Sequence, residues 1–351
     1  MVPGGAAFTG TWATCYRANL WSRVASRVLW KIADFSYRSE DDLYAAVKRI
    51  DWPRYFGVQR TLRVNVTAQK SPLRSLEFAT LRVKDAVCDR FRDALGTRPD
   101  VERAIPDVRV HVFLEKDQGT LYLDTSGEPL FKRGWRVGQG EAPLRENLAA
   151  GIVMLTGWQP GEPLLDPMCG GATLLVEAAA MARGRAPGAR RGFGFEKLAA
   201  FDAKTWEAVR AQRVEPQHCE LHGSDTDAEA LKAARRNLAA AGVERWVRLE
   251  QGDVLERAAP AGAGVMVMNP PYGERMGNLD DLARLYPKLG DALKKRYAGW
   301  RCYVFTADLR AAKLIGLAPS KRIPLWNGAL ECRLYEFEIV AGTHRKRSAP
   351  A

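Results

Sequence analysis

The tetrapeptide Asn269-Pro270-Pro271-Tyr272 follows directly on the apolar run Val265-Met266-Val267-Met268. An amide and two prolines are poor packing material at the end of a buried strand, but they are good acceptors. The Asn269 side-chain oxygen and the Pro270 carbonyl can each take a hydrogen bond, and Pro271 offers no competing N–H. Tyr272 can stack on a flat ring. A planar exocyclic amine held by two such acceptors turns its lone pair toward an electrophile, which is what methyl transfer to a nucleobase amine requires. Taken alone, the same four residues also fit a proline turn that ends a strand.

A second group lies a hundred residues earlier, in Leu164-Leu165-Asp166-Pro167-Met168-Cys169-Gly170-Gly171-Ala172-Thr173. This reads as a strand, a tight turn of small residues and a helix start, the place where a doubly wound sheet holds its ligand. The glycine spacing is not that of a dinucleotide fold, and the turn opens with an acid that would repel pyrophosphate. Asp166 suits a ligand ammonium instead, and S-adenosylmethionine carries an ammonium and no phosphate. Pro167, Cys169, Gly170, Gly171, Ala172 and Thr173 would then form its cradle. Asp225, closing Leu221-His222-Gly223-Ser224, can accept from both ribose hydroxyls. Asp253, with Val254 beside it, can take the adenine amine, and Asn269 borders the same cofactor. Asp227 is read as a helix cap rather than a ligand.

These groups need a frame. From about residue 147 helical and strand patterns alternate: helix 147–157, strand 163–166, helix 173–182, strand 219–225, helix 227–241, strands 246–250 and 265–268, helix 279–297 and strand 301–306. That is a parallel, doubly wound α/β sheet, closed by a hairpin ending in Cys332–Val340. The basic stretch 183–217 is expected as an insert over the cofactor face. Residues 1–131 read as a separate α+β domain, 132–146 as a basic linker, 147–340 as the Rossmann-like domain and 341–351 as a basic tail. In the first domain Trp21, Val24, Val28, Leu29 and Ile32 recur at helical spacing, which would line up Arg23, Arg27 and Lys31 on the opposite face. A strand over Thr61–Val66 follows, then a long helix with Leu76, Val83, Val87 and Phe91 inward, then a hairpin turning at Asp117-Gln118-Gly119.

The chain has 351 residues and a formal charge of +12, which favours a polyanionic partner. Residues 1–74 hold 12 basic against 5 acidic side chains. Arg23, Arg27 and Lys31, with Lys84 and the linker cations Lys132, Arg133, Arg136 and Arg145, are the expected RNA phosphate contacts. The six cysteines form no C-x-x-C pair, so free thiols in a reducing compartment are expected. His218, Cys219 and His222 lack a fourth ligand nearby, and no metal is expected. No apolar run approaches membrane length and the N-terminus does not read as a signal peptide, so a cytoplasmic, monomeric protein is expected.

The chain resembles the THUMP-containing class I methyltransferases, RlmL-like, the RlmL half of the fused RlmKL 23S rRNA enzymes. The likeness is carried by Leu20-Trp21-Ser22-Arg23-Val24-Ala25-Ser26-Arg27, Val83-Lys84-Asp85-Ala86, Lys132-Arg133-Gly134-Trp135-Arg136 and Ala142-Pro143-Leu144-Arg145-Glu146. It continues through Gly157-Trp158-Gln159-Pro160-Gly161, Leu165–Gly170, Gly223-Ser224-Asp225, Asn269–Arg275 and Asn327–Cys332. The resemblance implies a THUMP domain beside a partial ferredoxin-like unit, S-adenosylmethionine as cofactor, and N2-methylation of a guanine in 23S rRNA or its large-subunit precursor. Two departures stand out. Ala172 occupies a position usually held by glycine, and relatives carry further residues before Gly4-Gly5. A tRNA guanine-N2 methyltransferase and a catalytically inactive, RNA-binding assembly factor remain open as alternatives.

Overall fold

The structure is a computed structural model that describes residues 4–137, 144–270 and 279–340, without side chains for 279–282. The chain divides into two compact units, Met1–Lys132 with Pro187–Gln212, and Arg133–Ala186 with Arg213–Ala351. The stretch expected to lie over the cofactor face therefore folds largely with the first unit.

In the first unit the elements run α1 (Trp12–Trp21), β1 (Leu29–Ser36), α2 (Glu40–Lys48), β2 (Leu62–Gln69), α3 (Leu76–Leu95), β3 (Val108–Glu115) and β4 (Gln118–Asp124). The strands form one sheet in the order β1-β4-β3-β2, in which only β2 and β3 are parallel. Helix α3 starts where the Ser75 hydroxyl accepts the Phe78 N–H and stops at Gly96, whose φ of 73° few other residues tolerate. Ala79, Val83, Ala86, Val87 and Phe91 form its buried stripe, while Leu76, expected inward, stands exposed.

The helix expected over Trp21–Ile32 is not there. Helix α1 ends at Trp21, and the Ser22 hydroxyl accepts the Ala25 N–H, a local bond that competes with helix continuation. Leu29–Ser36 instead pairs antiparallel with β4. Arg23 and Arg27 thus sit in an irregular segment and Lys31 on a strand, so the three do not form a helical stripe.

The second unit contributes α4 (Glu146–Leu155), β5 (Leu164–Asp166) and α5 (Thr173–Ala182). The chain then passes through α6 (Ala203–Arg210), which belongs to the first unit, where Phe195, Phe201 and Trp206 surround the fully buried Tyr16. It returns as β6 (Leu221–Asp225), α7 (Ala228–Ala241), β7 (Val247–Gln251), β8 (Gly264–Met268), α8 (Leu279–Arg296), β9 (Trp300–Thr306), α9 (Ala311–Ile315), β10 (Lys321–Asn327) and β11 (Leu330–Glu338). These strands form a seven-stranded sheet, β10-β11-β9-β8-β5-β6-β7, parallel from β9 to β7 and antiparallel through the terminal hairpin.

Alternation along the strands splits the core in two. Leu164, Val265 and Val267 face a cluster with Ile152 of α4, Leu175 of α5 and Leu238 of α7. Leu165, Met266 and Met268 face the other side, with Tyr286, Leu289 and Leu293 of α8 and Ile315 of α9. Helices thus cover both faces, as the near-continuous apolar strands require.

Candidate functional site

The strand order sets β7, β6, β5 and β8 side by side, so their carboxyl ends follow one another along a single edge. Asp166 ends β5 and Asp225 ends β6; Asp253 lies two residues past β7, and Asn269 immediately follows β8. Sequence separations of 59 and 28 residues are thereby collapsed onto neighbouring strand ends.

The turn between β5 and α5 is tied to β6 through its backbone. Cys169 N–H donates to the Ser224 carbonyl at 2.9 Å, and Gly170 N–H donates to Asp225 Oδ2 at 2.9 Å. Asp225 Oδ1 accepts the Asp227 N–H at 3.0 Å. Each carboxylate oxygen keeps lone-pair capacity for a further donor. Ala172 takes φ 61° and ψ 29° at the N-cap of α5, the left-handed region that a glycine would occupy without strain. Its methyl is fully buried. Asp227 caps α7 by accepting the Glu229 N–H.

Asp166 is buried, and the hydrogen bond it accepts comes from the Met168 N–H at 3.3 Å. Burial pushes its carboxyl up to about 8, opposed by that bond and assisted by the nearby charge of Asp225. Among the described residues it has no cationic partner. Burial likewise pushes the Cys169 thiol up, helped by Asp166 and Asp225, so Cys169 is a packing group and not a thiolate. Asp253 Oδ1 accepts the Leu255 N–H at 2.9 Å, and Val254 is buried in the α8-side core.

Asn269 is half-buried at the end of β8, and its Oδ1 is shielded from solvent with no hydrogen-bond partner among the described residues. An acceptor left unsatisfied in this way costs about 1–3 kcal/mol until something donates to it. Pro270 is buried beside it. Pro271 and Tyr272 lie outside the described residues.

Several expected cations serve internal roles. Arg133 is buried with its Nε 3.3 Å from Glu177, also buried, so its guanidinium is not offered to a phosphate. Arg136 donates to Glu146 Oε1 at 2.8 Å, to the Leu144 carbonyl at 3.1 Å and to Thr173 Oγ1 at 3.1 Å, which pins the start of α5. Arg27 pairs with the buried Asp124 and the Gly127 carbonyl. Lys31 pairs with Asp34, Lys84 with Asp85 and Lys132 with Glu128. These last three are surface pairs of little energy, which a phosphate could replace. Arg145 is exposed at the start of α4, and Arg23 is partly buried.

Sequence reasoning missed Asn237. From the inner face of α7 its Nδ2 donates to the Gly171 carbonyl at 2.9 Å, and its Oδ1 accepts the Val137 N–H at 3.1 Å. The available signal was an amide placed between the buried Ala234 and Leu238.

Among the described residues no group of three His, Cys, Asp or Glu side chains could hold a metal ion, and no helix is long and apolar enough to cross a membrane.

Residues 37–124 match the THUMP domain and residues 1–29 the RlmL ferredoxin-like domain. The chain is 42% identical over 350 residues to "Ribosomal RNA large subunit methyltransferase K/L" of Syntrophotalea carbinolica, covering 95% of this chain and 49% of that protein. It thus spans about half the length of the curated relatives it matches. Among solved structures, SMU.472 in complex with SAH superposes with a TM-score of 0.85 at 29% identity, over 95% of this chain and 89% of that one. A possible methylase from Clostridium difficile 630 gives a TM-score of 0.85 at 33% identity over the same shares. With residues 133–336 matching the family model described as "RMKL-like, methyltransferase domain", the chain belongs to that methyltransferase family.

Proposed function

We propose that this chain is an S-adenosylmethionine-dependent rRNA methyltransferase that forms N2-methylguanosine in 23S rRNA. The observation that carries the reading is the pairing of two unmet groups on adjacent strand ends. Among the described residues Asp166 is a buried carboxyl without a cation, and Asn269 Oδ1 is a buried acceptor without a donor. S-adenosylmethionine and a nucleobase amine supply the missing ammonium and N–H.

The residues fit the cofactor. Asp225 would accept from the ribose hydroxyls, Asp253 from the adenine amine, and Asp166 would face the ammonium. When bound, the cofactor supplies an electrophilic methyl on a sulfonium. Asn269 and the Pro270 carbonyl would hold the guanine amine in line with it, so that orientation does most of the work. Tyr272 would stack on a base flipped out of its helix. No strong general base is needed, because the proton leaves an amine that has become cationic on methylation. The names of the curated relatives and the SAH in the SMU.472 structure support this reading. The THUMP match supports RNA as the partner. Lys31, Lys84 and Lys132, held in surface pairs, and the exposed Arg145 are the cations this reading offers to phosphate.

The test is transfer of labelled methyl from S-adenosylmethionine by the purified chain to a 23S rRNA transcript, with tRNA as the competing substrate. Label recovered as N2-methylguanosine from the 23S transcript supports the reading; label confined to tRNA, or found on adenine, overturns it.

A further inference from the structure

Trp246, immediately before β7, carries three guanidinium groups on one indole. Arg245, Arg183 and Arg185 lie 4.2, 4.6 and 5.3 Å from its ring centroid. Any two of these charges are therefore within about 10 Å of each other, roughly one Debye length in dilute salt. Among the described residues neither Arg183 nor Arg245 is ion-paired with a carboxylate. Such a concentration of like charge calls for an anion.

The cluster is also held in place. Arg183 Nη1 donates to the Gln217 carbonyl at 3.0 Å, and Arg185 Nη1 donates to the Ala241 carbonyl at 2.8 Å. The Arg183 bond uses one of five guanidinium donors and leaves others for a ligand. Trp246 is half-buried and packs against the hydrophobic core under α7. Anchored in this way, Arg183 and Arg185 lose little freedom when a partner arrives.

We infer that Arg183, Arg185 and Arg245 around Trp246 form a phosphodiester-binding site on the methyltransferase unit that grips the rRNA backbone. This rests on the rRNA reading above. The indole is already occupied by cations, so it does not offer a face for a base to stack on. The site therefore holds phosphates and positions the RNA without reading its sequence.

The experiment measures binding of a 23S rRNA transcript by the full chain across a salt series. Wild type is compared with Arg245→Glu, with Arg245→Lys, and with Arg183→Gln/Arg245→Gln. Arg245 is exposed and makes no hydrogen bond among the described residues, so its single variants leave the fold alone. Each lost phosphate contact should lower affinity roughly 5- to 8-fold at about 0.1 M salt and flatten the log–log salt slope by about 0.7–0.9. The double variant should show about twice that change in slope, and Arg245→Lys should keep most of the binding. Calorimetric affinity for SAH should not change. Variants that bind rRNA with wild-type affinity and slope would overturn this site alone. Failure of the wild-type chain to bind the transcript would overturn the rRNA reading and the site with it.

Discussion

Replacing Asp166 by Asn should make the ligand-free protein more stable and the cofactor complex weaker. Burial lifts the Asp166 carboxyl from 3.8 to about 8, so the direction of the pH effect can be worked out. Below pH 4 folded and unfolded chains both hold the proton and the shift is silent. As pH rises toward 8 the unfolded chain has released its proton while the folded chain keeps it, so stability falls throughout that window. At pH 7 the window traversed is about three pH units, each worth ~1.4 kcal/mol, so the carboxyl costs the fold up to ~4 kcal/mol. Asn keeps an Oδ1 for the Met168 N–H and does not titrate. Asp166→Asn should therefore gain stability at pH 7, with a flatter dependence between pH 4 and 8. Wild type should regain the deficit on binding, because a ligand ammonium favours the ionised carboxylate. SAH affinity should then rise from pH 6 to pH 8 in wild type and be weak and flat in the variant. Urea unfolding at pH 5, 7 and 9 with and without SAH, paired with calorimetry, reads both effects. A variant that is less stable than wild type at pH 8, or that binds SAH equally well, would refute the role given to Asp166.

Asn269→Ala should lower methyl transfer by ~100-fold or more while SAH affinity stays within a few-fold, since the lost acceptor acts on the reacting amine; steady-state rates beside calorimetry check this. Arg133→Met should cost about 3–5 kcal/mol of stability by removing the cation of a buried ion pair with Glu177, yet leave the salt slope of RNA binding unchanged. Denaturant melts and a salt titration separate those two outcomes. Ala172→Gly should shift stability by less than about 1 kcal/mol, because relief of a left-handed alanine is offset by a lost buried methyl and a freer unfolded chain. A chemical melt with SAH binding alongside decides whether Ala172 is merely tolerated in the cofactor turn.

The sheet and the ends of its central strands are legible in the sequence because acids and an amide punctuate otherwise apolar runs. Asp166, Asp225 and Asn269 each stand where a buried strand must stop, and α5 was read with its observed ends, Thr173–Ala182. The strand over 29–36 was not legible as such. Val24, Val28, Leu29 and Ile32 fit a helical period by chance, and pairing with β4 decides the outcome, a tertiary contact that local spacing does not carry. The return of Pro187–Gln212 to the first unit depends on Phe195, Phe201 and Trp206 finding Tyr16, a contact between distant parts of the sequence. Arg133 and Arg136 read as phosphate ligands because a linker of glycines and cations has the composition of a solvated segment. Their carboxylate partners, Glu177 and Glu146, lie on α5 and α4. Ala172 stands in a position where the sequence pattern favours glycine, and its backbone takes the left-handed conformation that glycine adopts most easily.

The most direct test is nucleoside mass spectrometry on separately purified 23S rRNA and tRNA from a strain lacking this chain, against the parent and a strain complemented with the Asn269→Ala variant. Loss of one N2-methylguanosine from 23S rRNA in the deletion, left unrestored by the variant and restored by wild type, is the predicted result. An unchanged 23S profile, or loss of N2-methylguanosine from tRNA alone, would contradict it.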